Sequence, residues 1–196
     1  MAMKSTQNQY GNVAVTIHWL SAIGIVALLG SGFRAANTVD PGAKAQILSV
    51  HAPLAIAILL LTLARIAWWW LADNKPAPVA GSPKWQDRGA RAVHFAFYVV
   101  IVGMAASGIG MFLLSGAGEI LFGGGTGALP DFGTYKPRVP HGLGARLLVA
   151  LLILHAGAAL HHHFIRKDGS LWRMWLGRAV WRTLGPFYRT IGNRPN

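Results

Sequence analysis

Four long apolar runs, separated by short polar connections, dominate the hydropathy pattern of this chain. They lie at 13–33, 47–71, 92–115 and 143–164, and each approaches the roughly 20 residues that a membrane-crossing helix needs. The pattern predicts an all-α integral membrane protein, a four-transmembrane-helix bundle over residues 1–165 followed by a basic tail, 166–196. In that tail Trp172, Trp175, Leu176, Ala179, Thr183 and Leu184 recur at helical spacing opposite Arg173, Arg178 and Arg182. The spacing predicts a C-terminal amphipathic interfacial helix on the cytoplasmic leaflet. The first run, with Lys4 before it and "FRAANT" after it, also has the outline of a cleaved leader. It is long for one, and it holds His18-Trp19, which a discarded segment has no reason to carry.

Composition supports the membrane reading. Hydrophobic residues make up 53% and charged residues 12%, with a net charge of +12. A soluble chain this basic would point to nucleic acid; one this apolar points instead to a lipid bilayer with cationic edges and no nucleic-acid partner. The absence of cysteine excludes disulfides, Cys-ligated zinc, iron–sulfur clusters and covalently attached c-type haem.

The cations set an orientation. Lys4 in the first segment, Lys75, Lys84, Arg88 and Arg91 around the second connection, and the tail residues Arg166, Lys167, Arg173, Arg178, Arg182, Arg189 and Arg194 make twelve on one side. Arg34, Lys44, Lys136 and Arg138 make four on the other. By the positive-inside rule, the N- and C-termini are expected to be cytoplasmic. The Pro-rich stretch 72–85 then reads as a cytoplasmic linker. The Gly- and Pro-rich loop 115–140 falls on the outer side, and Trp68-Trp69-Trp70 sits at an interfacial belt.

Histidines are nearly the only ionisable residues inside these spans, and such residues are functional candidates by default. His141 and His155 are 14 residues apart, which on a helix separates them by about 21 Å and aligns them within about 40°. They face one groove at two depths, so two stacked sites are implied. At the outer depth His51 is the remaining histidine, which gives the pair His51–His141. At the inner depth His155 can pair with His18 or with His94. His18 is preferred, because His94 lies too near the cytoplasmic surface unless the third span begins before residue 92. Facing imidazoles in a helix bundle suit b-type haem; zinc, the other candidate, generally wants four ligands. Small residues near the histidines, among them Ser21, Ala22, Gly24, Gly144, Ala145 and Gly157, leave room for a flat macrocycle or simply allow close helix contact. Arg65 follows His51 by 14 residues and reaches the inner level, either to pair with a haem propionate or to snorkel toward headgroups. In "HHH" (161–163) only His162 shares the phase of His155, seven residues on. It is placed to bond a propionate or a quinone, while His161 and His163 point to either side.

The segments "TIHWLSA" (16–22), "SVHAPL" (49–54), "RAVHFAFYVV" (91–100) and "HAGAALHHHFIRKDGSLWRM" (155–174) resemble the bacterial di-haem cytochrome b561 family, across about residues 10–174. The resemblance implies a multi-pass inner-membrane electron carrier with two haem b groups. Its ligands would be His18 and His155 for the inner iron, and His51 and His141 for the outer. It also implies a superoxide oxidase-like activity, taking electrons from superoxide at the periplasmic face and passing them to ubiquinone. Other members of the family resemble cytochrome subunits serving a periplasmic dehydrogenase or hydrogenase, so a periplasmic redox protein is the alternative donor. A histidine-lined metal transporter or sensor is the non-redox alternative. Lys136 and Arg138, just before His141, are placed to attract an anionic donor.

Overall fold

The computed structural model describes residues 2–79, 81–125 and 127–175. Among these there is no strand, and four helices are long and apolar enough to cross a membrane. They are α1 (Asn12–Asn37), α2 (Pro41–Leu71), α3 (Lys84–Ser115) and α5 (Arg138–His161), with a short α4 (Ala117–Phe122) between the last two. The fold class expected from the hydropathy pattern is observed.

The helices outrun the apolar stretches that mark them. α2 starts at Pro41 because Asp40 caps it: the Asp40 carboxylate accepts the Ala43 N–H at 2.6 Å, and Pro41 fits the first helical position, where no N–H is needed. α3 starts at Lys84, so His94 stands ten residues inside a continuous helix rather than at its edge. The buried share of the most apolar window runs from 28% in α1 down to 6% in α3. Leu113 and Ile153 are 78% and 70% exposed. In water such surfaces would drive aggregation; in hydrocarbon they match the solvent.

The chain forms two compact units. One comprises the described parts of 1–19, 65–94 and 151–196; the other comprises 20–64 and 95–150. In the second unit, helix contacts are made at glycines. A Cβ on Gly24 of α1 would collide with Ile58 Cδ1 of α2, and one on Gly144 of α5 would lie 2.6 Å from Met104 Sδ of α3. The space beside these two glycines is filled by protein side chains. At both positions the missing side chain lets a neighbouring helix pack closely.

In the first unit, Asp73 ties the N-terminal segment to the end of α2. Its carboxylate accepts from Ser5 Oγ at 2.7 Å, Ser5 N–H at 3.0 Å, Trp68 Nε1–H at 3.2 Å and Asn74 N–H at 2.9 Å. Arg173 adds a second tie, donating to Asn8 O at 3.0 Å and Ala77 O at 2.7 Å, with its guanidinium over the Tyr10 ring.

The described start of the tail, up to Trp175, does not form the expected amphipathic helix. α5 passes into a π-helical turn, His162–Arg166, and Lys167 and Gly169 take left-handed backbone with φ of 52° and 74°. That reversal ends helical phase, and a single 3₁₀ turn, Leu171–Met174, comes next. Trp172 therefore belongs to a new element, anchored by the Trp19 Nε1–H bond to Met174 O at 2.7 Å. The rest of the expected interfacial helix, 176–196, lies outside the described residues.

This packing makes two outcomes testable. Gly24→Leu should destabilise the detergent-solubilised protein by about 1–3 kcal/mol through overpacking. Gly103→Ala, where nothing lies within 4 Å of the added carbon, should be neutral or gain about 0.5–1 kcal/mol from helix propensity; thermal melts of both variants check this. The second outcome concerns Asp73. Burial opposes ionisation of its carboxyl, but donors from Ser5, Trp68 and Asn74 outweigh burial and hold it below the ordinary value. A depressed carboxylate stabilises the fold above the unfolded pKa of about 4 and loses that contribution as pH falls through the lower folded value. Asp73→Ala should cost about 1–3 kcal/mol at neutral pH and flatten the acid limb of the stability profile.

Candidate functional site

The histidines singled out by helical phase fall into two groups, one in each unit. His51 and His141 belong to the second unit. His51, on α2, sets its Nδ1 2.9 Å from Ser31 Oγ of α1, whose hydroxyl also lies 2.8 Å from Ala27 O one turn back. His141, in the first turn of α5, repeats the arrangement with α3. Its Nδ1 is 3.0 Å from Ser107 Oγ and 3.1 Å from Met104 O, and the Ser107 hydroxyl bonds Met104 O at 3.0 Å. Each ring also lies against a glycine on the facing helix. A Cβ on Gly32 would come within 3.2 Å of His51 Cε1, and one on Gly108 within 3.3 Å of His141 Cε1. A side chain at either position would make the ring give way by a few tenths of an ångström.

All four long helices contribute to the group in the first unit. His18 of α1 and His155 of α5 have ring centroids 6.1 Å apart, and His94 of α3 lies 5.3 Å from His155. Arg65 of α2 brings Nη1 to 3.2 Å from His18 Nδ1, and its Nε is buried without a hydrogen-bond partner. The expectation that His94 stays outside this group is corrected: with α3 starting at Lys84, His94 sits beside His155. Arg65 turns inward to His18, so it is not a snorkelling residue. No set of three or more His, Cys, Asp or Glu side chains placed to hold a metal ion occurs among the described residues.

His162 gives Nδ1–H to the Asp168 carboxylate at 2.5 Å, and Arg166 Nε lies 3.8 Å from the same oxygen. Partial burial raises the Asp168 pKa, but hydrogen bonds from His162 and Ser170 prevail and hold it below the ordinary value. The π turn begins at His162, so the α-helical phase used for the histidine triplet does not carry past His161. His163 packs against Phe164 and Trp172; His161 is exposed, its ring 5.9 Å from that of His162.

Lys136 and Arg138 stand in and after the turn that leads into α5, where His141 N–H bonds Pro137 O at 3.1 Å. Lys136 is exposed and Arg138 partly so. Two further cations lie in this unit: Arg34, counted above only for orientation, and Arg146, which sequence reasoning missed. Arg34 lines an open cleft of about 470 Å³ with Gly30, Ser31, Ala43, Gln46, Ile47 and Val50, beside the serine that holds His51. Arg146 donates to Gly142 O at 3.2 Å, one turn from His141. The serines are a further omission. Ser31 is 20 residues from His51 and Ser107 is 34 from His141, and no local spacing links them.

The chain is similar to known proteins over most of its length. A family model described as prokaryotic cytochrome b561 matches residues 9–177. The chain is 27% identical over 188 residues to cytochrome b561 homolog 2 of Escherichia coli (strain K12), covering 91% of this chain and 97% of that protein. It is 25% identical over 175 residues to cytochrome b561 homolog 1 of the same organism, covering 85% and 97%. It is also similar to the probable superoxide oxidase CybB of Yersinia pestis, at 28% identity over 173 residues, covering 85% and 95%.

Proposed function

The chain belongs to the prokaryotic cytochrome b561 family, and on that premise we propose that it oxidises superoxide at the periplasmic face and reduces ubiquinone through two bis-histidine b haems. Membership makes it a multi-pass protein of the bacterial inner membrane, an oxidoreductase that carries electrons across the bilayer by b-type haem. The donor, the acceptor and the ligands are our assignment.

One observation carries it: the four histidines divide between the two units, His51 with His141 and His18 with His155. With metal–imidazole bonds of about 2 Å, two imidazoles that held one iron would have ring centres about 6 Å apart. The His18–His155 separation of 6.1 Å suits that spacing better than the 5.3 Å between His94 and His155. His18 and His155 are therefore assigned to the inner iron, His51 and His141 to the outer. Arg65 supports the fit. A guanidinium can only donate, and its buried, unpartnered Nε suits a haem propionate. Ligation by His18 Nε2 requires Arg65 to turn its Nη1 from His18 toward that acid group.

Bis-histidine haem moves single electrons and leaves no open position for oxygen. Two superoxide anions lose one electron each to give two dioxygen molecules; ubiquinone takes those electrons with two protons to become the quinol. Lys136 and Arg138 attract the anion at the outer end of α5, as the basic flank of a binding surface raises local anion concentration. His162, oriented by Asp168, offers Nε2 to a propionate or to the quinone. Both termini are assigned to the cytoplasm, with 166–196 as a tail on that leaflet. The relative from Yersinia pestis whose name includes superoxide oxidase favours superoxide over a soluble redox partner as donor.

Dithionite-reduced protein should show a b-type spectrum. His51→Ala and His155→Ala should each remove a different haem, and loss of the same haem from both would overturn the pairing. With purified protein and ubiquinone, superoxide alone should drive haem reduction. That rate should fall roughly tenfold or more on adding salt and in the Lys136→Ala/Arg138→Ala variant. An unchanged rate in the double variant rejects steering by these residues, and a requirement for a co-purifying dehydrogenase rejects superoxide as donor.

A further inference from the structure

The Nδ1 partners of His51 and His141 decide which ring nitrogen carries the proton. A backbone carbonyl only accepts, so the 3.1 Å contact from His141 Nδ1 to Met104 O requires a proton on Nδ1. Ser107 has one hydroxyl proton, which goes to Met104 O at 3.0 Å, leaving its oxygen to accept from the same Nδ1–H. Ser31 repeats the logic. Its hydroxyl proton goes to Ala27 O at 2.8 Å, a group that can only accept, so His51 Nδ1–H donates to Ser31 Oγ at 2.9 Å. Both rings are then Nδ1–H tautomers with an unprotonated Nε2, the form a metal binds. The second partner of a ligating histidine orients the ring and raises its basicity, and hydrogen bonding of this kind is a lever on haem potential. Gly32 and Gly108 leave each ring the space to sit against the facing helix, where a Cβ would lie 3.2–3.3 Å from Cε1.

We propose that Ser31 and Ser107 are positioning residues of the His51–His141 haem: by accepting hydrogen bonds from Nδ1–H they present Nε2 to iron, enrich both ligands in electron density, and lower that haem's potential. The inference rests on the ligand assignment above. It concerns a property that ligand identity alone does not set, since His18 turns its Nδ1 toward Arg65.

The test is a spectroelectrochemical titration of the full-length, haem-loaded protein in detergent, with EPR of the ferric state. In Ser31→Ala and in Ser107→Ala, the midpoint of one haem should move positive and its EPR g-values should shift, with a larger change in the double variant and the second haem unmoved. Ser31→Thr, which keeps the hydroxyl, should stay close to wild type. Loss of the outer haem from Ser31→Ala but not from Ser31→Thr supports the same role. Unchanged midpoints and g-values in both alanine variants overturn the proposal. So does an equal shift, or equal haem loss, in Ser31→Ala and Ser31→Thr, which would mark the serine as packing only. Failure of the ligand assignment has a separate signature: wild type without a bis-imidazole spectrum, or His51→Ala retaining both haems.

Discussion

Hydrocarbon supplies no hydrogen bonds, so each polar atom that enters it must be answered from within the protein. In this chain the demand is concentrated on a few imidazoles, hydroxyls and one guanidinium. Ser31 and Thr62 turn their hydroxyls back onto their own helices, at Ala27 O and Ile58 O. His51 and His141 meet serines from the facing helix, and His18 meets Arg65. Each of these hydrogen bonds between helices joins a specific pair, α1 with α2 or α3 with α5.

The two histidine groups satisfy this demand in opposite ways. Around His51 and His141 the partners are neutral acceptors, hydroxyl and carbonyl oxygens, which draw the ring proton to Nδ1. Around His18 the partner is a cation that only donates, with one buried nitrogen still unmatched. Chemically similar rings thus stand in unlike electrostatic surroundings. Beyond α5, the same first unit is drawn together by Asp73, Arg173 and the Trp19 bond to Met174 O. These ties connect the N-terminal segment, the 72–83 connection and the residues after the π turn, and so brace the end of α1 that carries His18.

Much of this is legible in the chain itself, and the exceptions share a cause. The spans, their number and the His141–His155 register are local properties, since apolar length and the 100° helical step need no knowledge of neighbours. Hydropathy misplaces His94 because it marks where a span becomes apolar, whereas α3 starts eight residues earlier on polar and charged residues. Helical phase does not show the π turn that begins at His162 or the Asp168 carboxylate that meets its ring. Gly24 and Gly144 have the same composition signal as Gly32 and Gly108, yet the first pair receives Ile58 and Met104 while the second receives histidine rings.

Sequence by itself therefore determined an all-helical membrane protein with histidines at two depths, because hydrophobic length and helical periodicity act within one segment. Tertiary structure decided which partner answers each ring: Ser31 and Ser107 for one group, Arg65 and His94 for the other. The reason is that periodicity sets the angle between residues on one helix but leaves free how far each helix is rotated against its neighbours. That rotation is set by side chains 20 to 47 residues apart in the chain, which meet only once the helices have packed.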